Sequence, residues 1–351
     1  MKKIVAILPS LNPDKNLKEV VNTLVLEGFE NILVINDGSD EKYDKYFNEL
    51  MDFPECTLLK HEVNQGKGEA LKTAFRHFKE NFSSDEFAGV VTADADGQHL
   101  AKDIKKCAES MLENPNSLIF GVRDFNEEHV PPKSRIGNKT TTQIIKLLFG
   151  KKIIDTQTGL RGINYEHIDI FLEEQGSRFE YEINMLICAL NMDINIVQVP
   201  IETVYYENNR QTHFNPIKDS IKIYKVILAS FFRYIVVAFV CFFIDQGLFN
   251  IFLFFANIAS STFFSRIISA IINFKLNKDY VFKNKNVKDN SLLIKYAVLC
   301  VVQMVLSATA TTVLFNLTKN NVSIIKILVD LCLFVINYII QKLYIFKGER
   351  K

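Results

Sequence analysis

The sequence predicts an α/β domain followed by an all-α membrane domain of four transmembrane helices, and three observations lead there. Up to about Ser220, apolar runs of strand length alternate with stretches of helical periodicity, as in a parallel sheet covered on both faces. Beyond Ile227, long segments rich in Phe, Ile, Leu and Val take over, approaching the ~20 residues that a bilayer-crossing helix needs. Between them lies a short stretch with apolar residues on one helical face and lysines on the other. The expected boundaries are residues 1–215, an amphipathic juxtamembrane helix at 216–230, and a membrane domain at 231–351.

A chain of 351 residues is long enough for about two domains. Its net charge of +1 gives no overall electrostatic case for nucleic acid. The six cysteines are scattered without a CxxC pair, which argues against a zinc site or disulfide framework and fits a reducing compartment. Met1-Lys2-Lys3 precedes only a brief apolar run ended by Pro9, too short for a signal-peptide core. The N-terminal domain is therefore expected to stay on the side where it is made.

Ile4–Leu8 is the first apolar run, stopped by Pro9-Ser10-Leu11-Asn12-Pro13. Leu17, Val20, Val21, Leu24 and Val25 then recur at helical spacing, and Gly28 closes that helix. Ile32–Ile35 is a second run, ending in the turn cluster Asn36-Asp37-Gly38-Ser39-Asp40. Asn64-Gln65-Gly66-Lys67-Gly68 opens a helix through Ala70, Leu71, Ala74 and Phe75. A third run, Phe87 to Val91, leads into Thr92-Ala93-Asp94-Ala95-Asp96-Gly97-Gln98-His99, after which a helical pattern begins. Leu118–Gly121 is a further strand, followed by Arg123 and a polar loop to Lys133.

Ligands of such sheets bind at the carboxyl ends of the strands, where Pro9, Asp37 and Asp94 all lie. Alternate side chains after a strand point the same way, so Asp94 and Asp96 can converge on one hard cation. Mg²⁺ or Mn²⁺ held there keeps open positions for phosphate oxygens. The same residues also make an ordinary solvated turn. Asp37 could accept hydrogen bonds from a nucleoside or form an Asx turn. Gly66-Lys67-Gly68 lets the backbone approach an anion with Lys67 as the cation, although it is neither a Walker A loop nor GxGxxG. Arg123, Lys133 and Arg135 bracket one loop and suit an acceptor phosphate, or else a solvated basic surface.

Taken in order, Leu8-Pro9-Ser10-Leu11-Asn12, Val34-Ile35-Asn36-Asp37-Gly38-Ser39, Asn64-Gln65-Gly66-Lys67-Gly68 and Asp94-Ala95-Asp96-Gly97-Gln98-His99 resemble the family 2 glycosyltransferases of GT-A (Rossmann-like) fold. Within that family, residues 1–215 are similar to the dolichyl-phosphate mannose synthase and polyprenyl-phosphate glucosyltransferase (GtrB-like) branch. The resemblance implies that Pro9, Leu11 and Asp37 line a nucleoside pocket, with Lys67, Asp94, Ala95 and Asp96 completing the nucleotide contacts. Asp94, Asp96 and Gln98 would carry the divalent ion, and Arg123, Lys133 and Arg135 would receive a lipid phosphate. Where many members have an acidic residue after Asn12, this chain has Pro13 and Asp14. Asp155-Thr156-Gln157-Thr158-Gly159-Leu160-Arg161 resembles the segment at the catalytic floor, Arg178-Phe179-Glu180-Tyr181-Glu182 a helix start, and Val199-Pro200-Ile201 the last core strand. Asp155 stands where many members keep a general base. A phosphate monoester asks little of it, because its second pKa of about 6 leaves it mostly anionic at neutral pH.

In the second half, Ile217, Ile221, Tyr224 and Leu228 share one face, with Lys218, Lys222 and Lys225 away from it. Such a helix suits an anionic lipid surface. Four spans are expected: Tyr234–Ile258 with Asp245, Phe263–Phe274 with Arg266, Tyr296–Thr318, and Ile327–Phe346 with Asp330 and Lys342. Lys275, Lys278, Lys283, Lys285 and Lys288 lie between spans two and three, and Lys347, Arg350 and Lys351 follow span four. The positive-inside rule then places the N-terminal domain, the central loop and both termini in the cytoplasm. The segment Asn273–Lys283 repeats as Asn337–Lys347, with Asn, Lys, Tyr, Phe and Lys identical, so two helix pairs of the same orientation are expected. This half resembles the GtrA-like four-span family, associated with translocation of lipid-linked sugars. Asp245, Asn273, Asn277, Asp330, Asn337 and Gln341 match its polar positions, which also suit helix–helix hydrogen bonds.

The expected activity is inverting transfer of a hexose from a UDP- or GDP-linked sugar to a polyprenyl phosphate such as undecaprenyl phosphate, with Mg²⁺ or Mn²⁺, at the cytoplasmic membrane. A translocase role for the spans is the alternative, and a homo-oligomer stays open. A processive polysaccharide synthase fits poorly, because its usual QxxRW signature needs a tryptophan and the chain has none.

Overall fold

The computed structural model describes residues 2–126, 130, 132–202, 218–282 and 289–346; side chains at 133–134, 218–220, 259 and 289–290 are outside that description. The chain divides into two compact units, Met1–Lys146 with Lys151–Ile227, and Leu147–Gly150 with Leu228–Lys351.

The first unit is built on seven strands: β1 (Lys3–Ser10), β2 (Ile32–Asp37), β3 (Cys56–His61), β4 (Phe87–Thr92), β5 (Ser117–Arg123), β6 (Arg161–Asn164) and β7 (Asn195–Ile201). Their spatial order is β3-β2-β1-β4-β6-β5-β7. The most apolar runs take the middle: Val5, Ile7 and Leu8 of β1 and Val90 and Val91 of β4 are wholly buried, as expected for strands covered on both faces. Helices α1 (Asn16–Leu26), α2 (Asp44–Asn48), α3 (Lys67–Asn81), α4 (Ala101–Glu113), α5 (Pro132–Phe149), α6 (Tyr165–Leu172) and α7 (Glu180–Asn191) connect and cover the strands, and α8 (Lys218–Ile227), after the last strand, packs on α7. Helix α1 buries Leu17, Val20, Val21 and Leu24 against the sheet, and α3 buries Ala74, Phe75 and Phe78. Each large side chain so buried contributes about 1.5–3 kcal/mol.

The sheet is not wholly parallel, which corrects the expectation. Strand β6 runs antiparallel to both β4 and β5, with Arg161 opposite Thr92 and Phe120. Only four residues long, it is reached from β5 through α5 and the loop after it, yet enters the sheet reversed between β4 and β5, so strand–helix alternation does not predict its direction. The reversal has a use. Because β6 begins where β4 ends, the preceding segment 155–160 is delivered to the carboxyl ends of the parallel strands.

The second unit holds α9 (Ala229–Phe252), α10 (Ile258–Leu276), α11 (Asp289–Thr318) and α12 (Val322–Ile340). Among the described residues, three stretches are long and apolar enough to cross a membrane, Ala229–Phe252, Ser291–Thr318 and Val322–Ile345, not the four expected. Helix α10 has the length, about 28 Å at 1.5 Å per residue. Its Ser260, Ser261, Ser265, Arg266, Ser269 and Lys275 make it too polar. Phe242, Phe243, Val301, Leu306 and Leu331 point outward, as helices in lipid do.

The sequence repeat is a structural one. Helices α10 and α12 both have 19 residues, both are capped by an asparagine side chain (Asn257, Asn321), and both end in a π-helical turn, Asn277–Val281 and Gln341–Ile345. Equivalent residues meet: the Asn277 amide donates to Gln341 Oε1, 64 residues away, and Phe282 stacks on Phe346 with ring centroids 5.1 Å apart. The bonding is crosswise, Tyr296 on α11 donating to Asn273 on α10, and Asn337 on α12 donating to Tyr234 on α9. A local two-fold relation between the helix pairs accounts for all of these contacts. Lys283, Lys285, Lys288, Lys347, Arg350 and Lys351, and the start of the amphipathic helix at Pro216 and Ile217, lie outside the described residues.

Candidate active site

The loops at the carboxyl ends of β1 and β2 are laced together. Asn12, held at φ 50°, takes the Ser39 hydroxyl as acceptor for its N–H (2.8 Å), and its own side chain accepts from Asp40 N (3.0 Å). Pro9 and Leu11, expected to line a nucleoside pocket, sit half-buried on this double loop.

Asp37 is buried, and its carboxylate holds the glycine-containing loop. Gln65 N and Gly66 N donate to it at 2.9 and 2.8 Å. His61 Nδ1 is 2.7 Å away, and since a carboxylate can only accept, that nitrogen carries the proton. Thr73 Oγ1, 2.9 Å from Nε2, can then donate to the other side of the ring. Gly66 has φ +100°, and a Cβ there would lie 2.5 Å from the Ser177 carbonyl oxygen. At Gly68 a Cβ would come within 2.7 Å of Tyr181 Cβ. The two glycines therefore let the start of α3 pack directly on the segment that opens α7.

That packing delivers Lys67 between two carboxylates. Its Nζ lies 2.6 Å from Asp94 Oδ1 and 3.0 Å from Glu182 Oε1. Burial would lower the Lys67 pKa, but Asp94 and Glu182 reverse that and hold it above the usual lysine value. Burial likewise disfavours the charged form of Asp94, and the Lys67 ammonium, with help from His99, overrides it and holds the carboxyl well below the usual range. Asp96 goes the other way: burial and then the charge of Asp94 push its pKa up. One Asp96 oxygen accepts from Gln98 N at 3.0 Å, closing an Asx turn around Gly97, which has φ 78°. His99 Nε2 is 3.5 Å from Asp94 Oδ2.

The antiparallel strand supplies the floor. Thr92 donates to the Gly159 carbonyl at 2.8 Å. A Cβ on Gly159 would lie 2.7 Å from Asp94 Oδ2 and 2.9 Å from Lys67 Nζ, so this glycine sits directly against the ion pair. Asp155 is fully buried and gripped by Arg123, with Nε donating at 2.6 Å and Nη2 at 3.2 Å. The Arg123 guanidinium also lies 5.1 Å from the centroid of the Phe125 ring. Asn138 on α5 donates to the Ile154 carbonyl at 2.6 Å and ties that helix to the same floor. Arg135 is one turn ahead of Asn138, half-buried; the Lys133 side chain lies outside the described residues.

The structure thus brings Asp37, Lys67, Asp94, Ala95, Asp96 and Gln98 to one end of the sheet, with Arg123 and Asp155 beside them as a bonded pair. Asp37 and Asp155 are engaged with protein groups. Two participants were not singled out from sequence. Glu182 shares Lys67 with Asp94, yet in sequence it is one of several acidic residues around the start of α7. Arg161, 1% exposed, donates to the Thr158 and Glu182 carbonyls at 3.0 and 2.6 Å and stacks over Phe120. Burial lowers its pKa, countered by the surrounding carboxylates. A buried arginine leaves no periodic signal in a short strand.

No group of three His, Cys, Asp or Glu side chains that could hold a metal occurs among the described residues. Asp94, Asp96 and the Gln98 amide are nevertheless hard oxygen donors, and the mutual repulsion of the two carboxylates is what a cation would relieve. Mg²⁺-type sites commonly take one or two carboxylates and complete the shell with ligand phosphates and water.

Comparison with known proteins agrees with this architecture. Residues 5–171 match the glycosyl transferase family 2 profile, and residues 233–346 match the GtrA/DPMS transmembrane domain. An uncharacterized protein of Methanocaldococcus jannaschii is 30% identical over 237 residues, covering 66% of this chain and 93% of that protein. The UDP-N-acetylglucosamine–dolichyl-phosphate N-acetylglucosaminyltransferase of Methanococcus voltae is 31% identical over 223 residues, 59% of this chain and 87% of its own. A dolichyl-phosphate beta-glucosyltransferase of Trichomonas vaginalis is 25% identical over 214 residues, 56% and 64% respectively. The chain belongs to glycosyl transferase family 2, as a membrane-integral glycosyltransferase whose catalytic unit is joined to a GtrA/DPMS transmembrane domain.

Proposed function

We propose that this enzyme transfers a hexose, with inversion, from a nucleotide sugar to a polyprenyl phosphate at the cytoplasmic face of the membrane. One observation carries the reading: a paired carboxylate, Asp94 and Asp96, shares the carboxyl end of the sheet with the half-buried ammonium of Lys67, in a chain that continues into apolar helices. Two of the relatives, both dolichyl-phosphate glycosyltransferases by name, support the acceptor class.

In this reading Pro9, Leu11 and the loop tied down by Asp37 receive the nucleoside. Asp94, Asp96 and Gln98 hold Mg²⁺ or Mn²⁺, which supplies charge neutralisation for the departing diphosphate. Lys67, released from Asp94 but still held by Glu182, turns to a phosphate oxygen. The acceptor is a phosphate monoester with a second pKa near 6, so no strong base is required. Asp155 then acts by fixing the Arg123 guanidinium, which with Lys133 and Arg135 positions the acceptor phosphate for in-line attack. The repeat, which makes α10 the equivalent of the apolar α12, supports α10 as a fourth crossing despite its polar residues, with Arg266 set beside Asp245. Lys275 in the last turn of α10, Lys278 just after it, and both termini lie on the cytoplasmic side.

The test is a panel of radiolabelled nucleotide sugars, UDP-N-acetylglucosamine first, incubated with the purified full-length protein and either undecaprenyl or dolichyl phosphate. Label extracted into organic solvent with one donor is the expected result. Label confined to water-soluble products for every donor would sink the acceptor assignment.

A further inference from the structure

The membrane unit holds two basic side chains for which it supplies no counter-charge. Lys342 lies in the turn that ends α12. Its Nζ is 3.7 Å from the centroid of the Phe149 ring, which belongs to the same unit, and 3.4 Å from Ser230 Oγ. Ser230 in turn is 2.6 Å from the Tyr338 hydroxyl. Arg233 follows Ser230 by one turn of α9, near enough to Lys342 for the like charges to repel. Its Nη2 donates to the Val281 carbonyl at 3.2 Å, and its Nε is buried without a hydrogen-bond partner among the described residues.

Among the described residues the ion pairs of this unit are Arg266 with Asp245 and Lys326 with Asp330, so neither Arg233 nor Lys342 has a carboxylate. Asp279, on the turn that also holds Val281, is exposed and forms no ion pair among the described residues. Basic residues at the end of a span ordinarily snorkel into water. These two are half-buried instead, beside two hydroxyls and an aromatic ring. Charges withdrawn from water are stable when paired, so the missing group is an anion. The Ser230–Tyr338 bond uses one hydroxyl proton and leaves the other free to donate. Two cationic side chains and a hydroxyl donor make the set that a phosphate takes.

We propose that Arg233 and Lys342 bind the phosphate headgroup of an anionic bilayer phospholipid. Basic pockets between membrane helices at a bilayer surface hold such headgroups. Arg233 is about 6 Å along α9 from its start, and Lys342 stands where α12 closes. The hydrogen bond from Asn337 to Tyr234 keeps those two helix ends together. Both basic groups therefore stand at one surface of the bilayer, where lipid phosphates lie. Val236 and Val240, three and seven residues beyond Arg233 on its face of α9, are exposed and lead inward as a track for acyl chains. The reaction proposed above already gives the acceptor phosphate Arg123, Lys133 and Arg135, which leaves this pair to the bilayer itself. A phospholipid seated here ties together the start of α9, the end of α12, the turn at Val281 and the end of α5.

The test is native mass spectrometry of the full-length protein in detergent, titrated with dioleoyl phosphatidylglycerol or dioleoyl phosphatidylcholine. The first phosphatidylglycerol should bind with a Kd about tenfold or more below that of phosphatidylcholine. Arg233→Gln and Lys342→Gln should each raise that Kd about tenfold, the scale of one lost hydrogen bond to a charged group. Lys342→Arg keeps the charge and should keep most of the affinity. Lys295, which precedes Tyr296 as Arg233 precedes Tyr234, is the exposed counterpart in the second helix pair, so Lys295→Gln should change nothing. Equal affinity of the wild type for the two lipids overturns the proposal, whatever the variants do. So does undiminished affinity in both Gln variants, or an equal loss in Lys295→Gln, which would mean a generally basic surface. Undecaprenyl phosphate that displaces phosphatidylglycerol at equal concentration would give the site to the acceptor, and inorganic phosphate that does so would show that lipid plays no part. Either result also overturns it.

Discussion

Lys67 lies between Asp94 and Glu182, and the consequence of removing its charge follows from electrostatics. Asp94 has a depressed pKa, so it contributes stability that is complete above the unfolded value of about 3.9 and is lost only as pH falls through the lower folded value. In Lys67→Met, burial is opposed only by His99, and the Asp94 pKa should rise. The acid limb of the transfer rate should then move up by about one pH unit or more, read from kcat/KM against pH; coincident limbs would show that the ion pair does not govern Asp94. Arg123 and Asp155 give a different prediction. Asp155 is wholly buried, so Arg123→Ala leaves its charge unpaired, with only the Gln157 N–H among the described residues donating to it at 3.2 Å, and should cost about 3–5 kcal/mol in denaturant unfolding. A change below about 1 kcal/mol would mean that the carboxylate finds another partner. Most of these residue types could be picked out from the sequence, because motifs name side chains. Their pairings could not. That Asp37 holds a loop, and that Glu182 shares a lysine with Asp94, depends on contacts between positions 27 to 115 residues apart.

Two glycines near the site separate fold from function at the level of elements. At Gly66 a side chain would meet backbone, the Ser177 carbonyl, at a φ that L-residues rarely adopt. Gly66→Ala should therefore destabilise the unit by about 1–3 kcal/mol. At Gly159 the atoms in the way are the mobile ends of Asp94 and Lys67, which can move aside. Gly159→Ala should leave thermal unfolding nearly unchanged while lowering kcat by about 100-fold, as loss of a preorganised charge does elsewhere. Equal losses of stability in the two variants would contradict this division. Strands β1, β2, β4 and β5 were legible because each holds a run free of charged residues closed by a turn cluster or a polar segment, and helices α1 and α3 because of their periodicity. Strand β6, Arg-Gly-Ile-Asn, was not, since it holds one large apolar residue between polar ends and its direction is set by tertiary pairing. The missing fourth apolar span has the same kind of cause: α10 spends its polar residues on partners such as Asp245, and composition sees only the polarity.

Across the whole molecule, an α/β unit that gathers carboxylates and an ammonium at one sheet end is joined to a duplicated helical unit built for lipid. The division into these two parts was plain from hydropathy alone, and the repeat from one eleven-residue match. The crosswise bonding of the helix pairs was not, because a repeat in sequence says nothing about which copies touch. The central claim is that Asp94 and Asp96 hold the ion at which a nucleoside diphosphate departs while a lipid phosphate receives the sugar. It is tested most directly by transfer of label from UDP-[14C]N-acetylglucosamine to polyprenyl phosphate by the purified full-length enzyme, with and without EDTA. The account predicts organic-soluble label that EDTA abolishes, that excess Mg²⁺ or Mn²⁺ restores, and that Asp96→Asn lowers by about 100-fold or more. Transfer that persists undiminished in EDTA and in Asp96→Asn would contradict it.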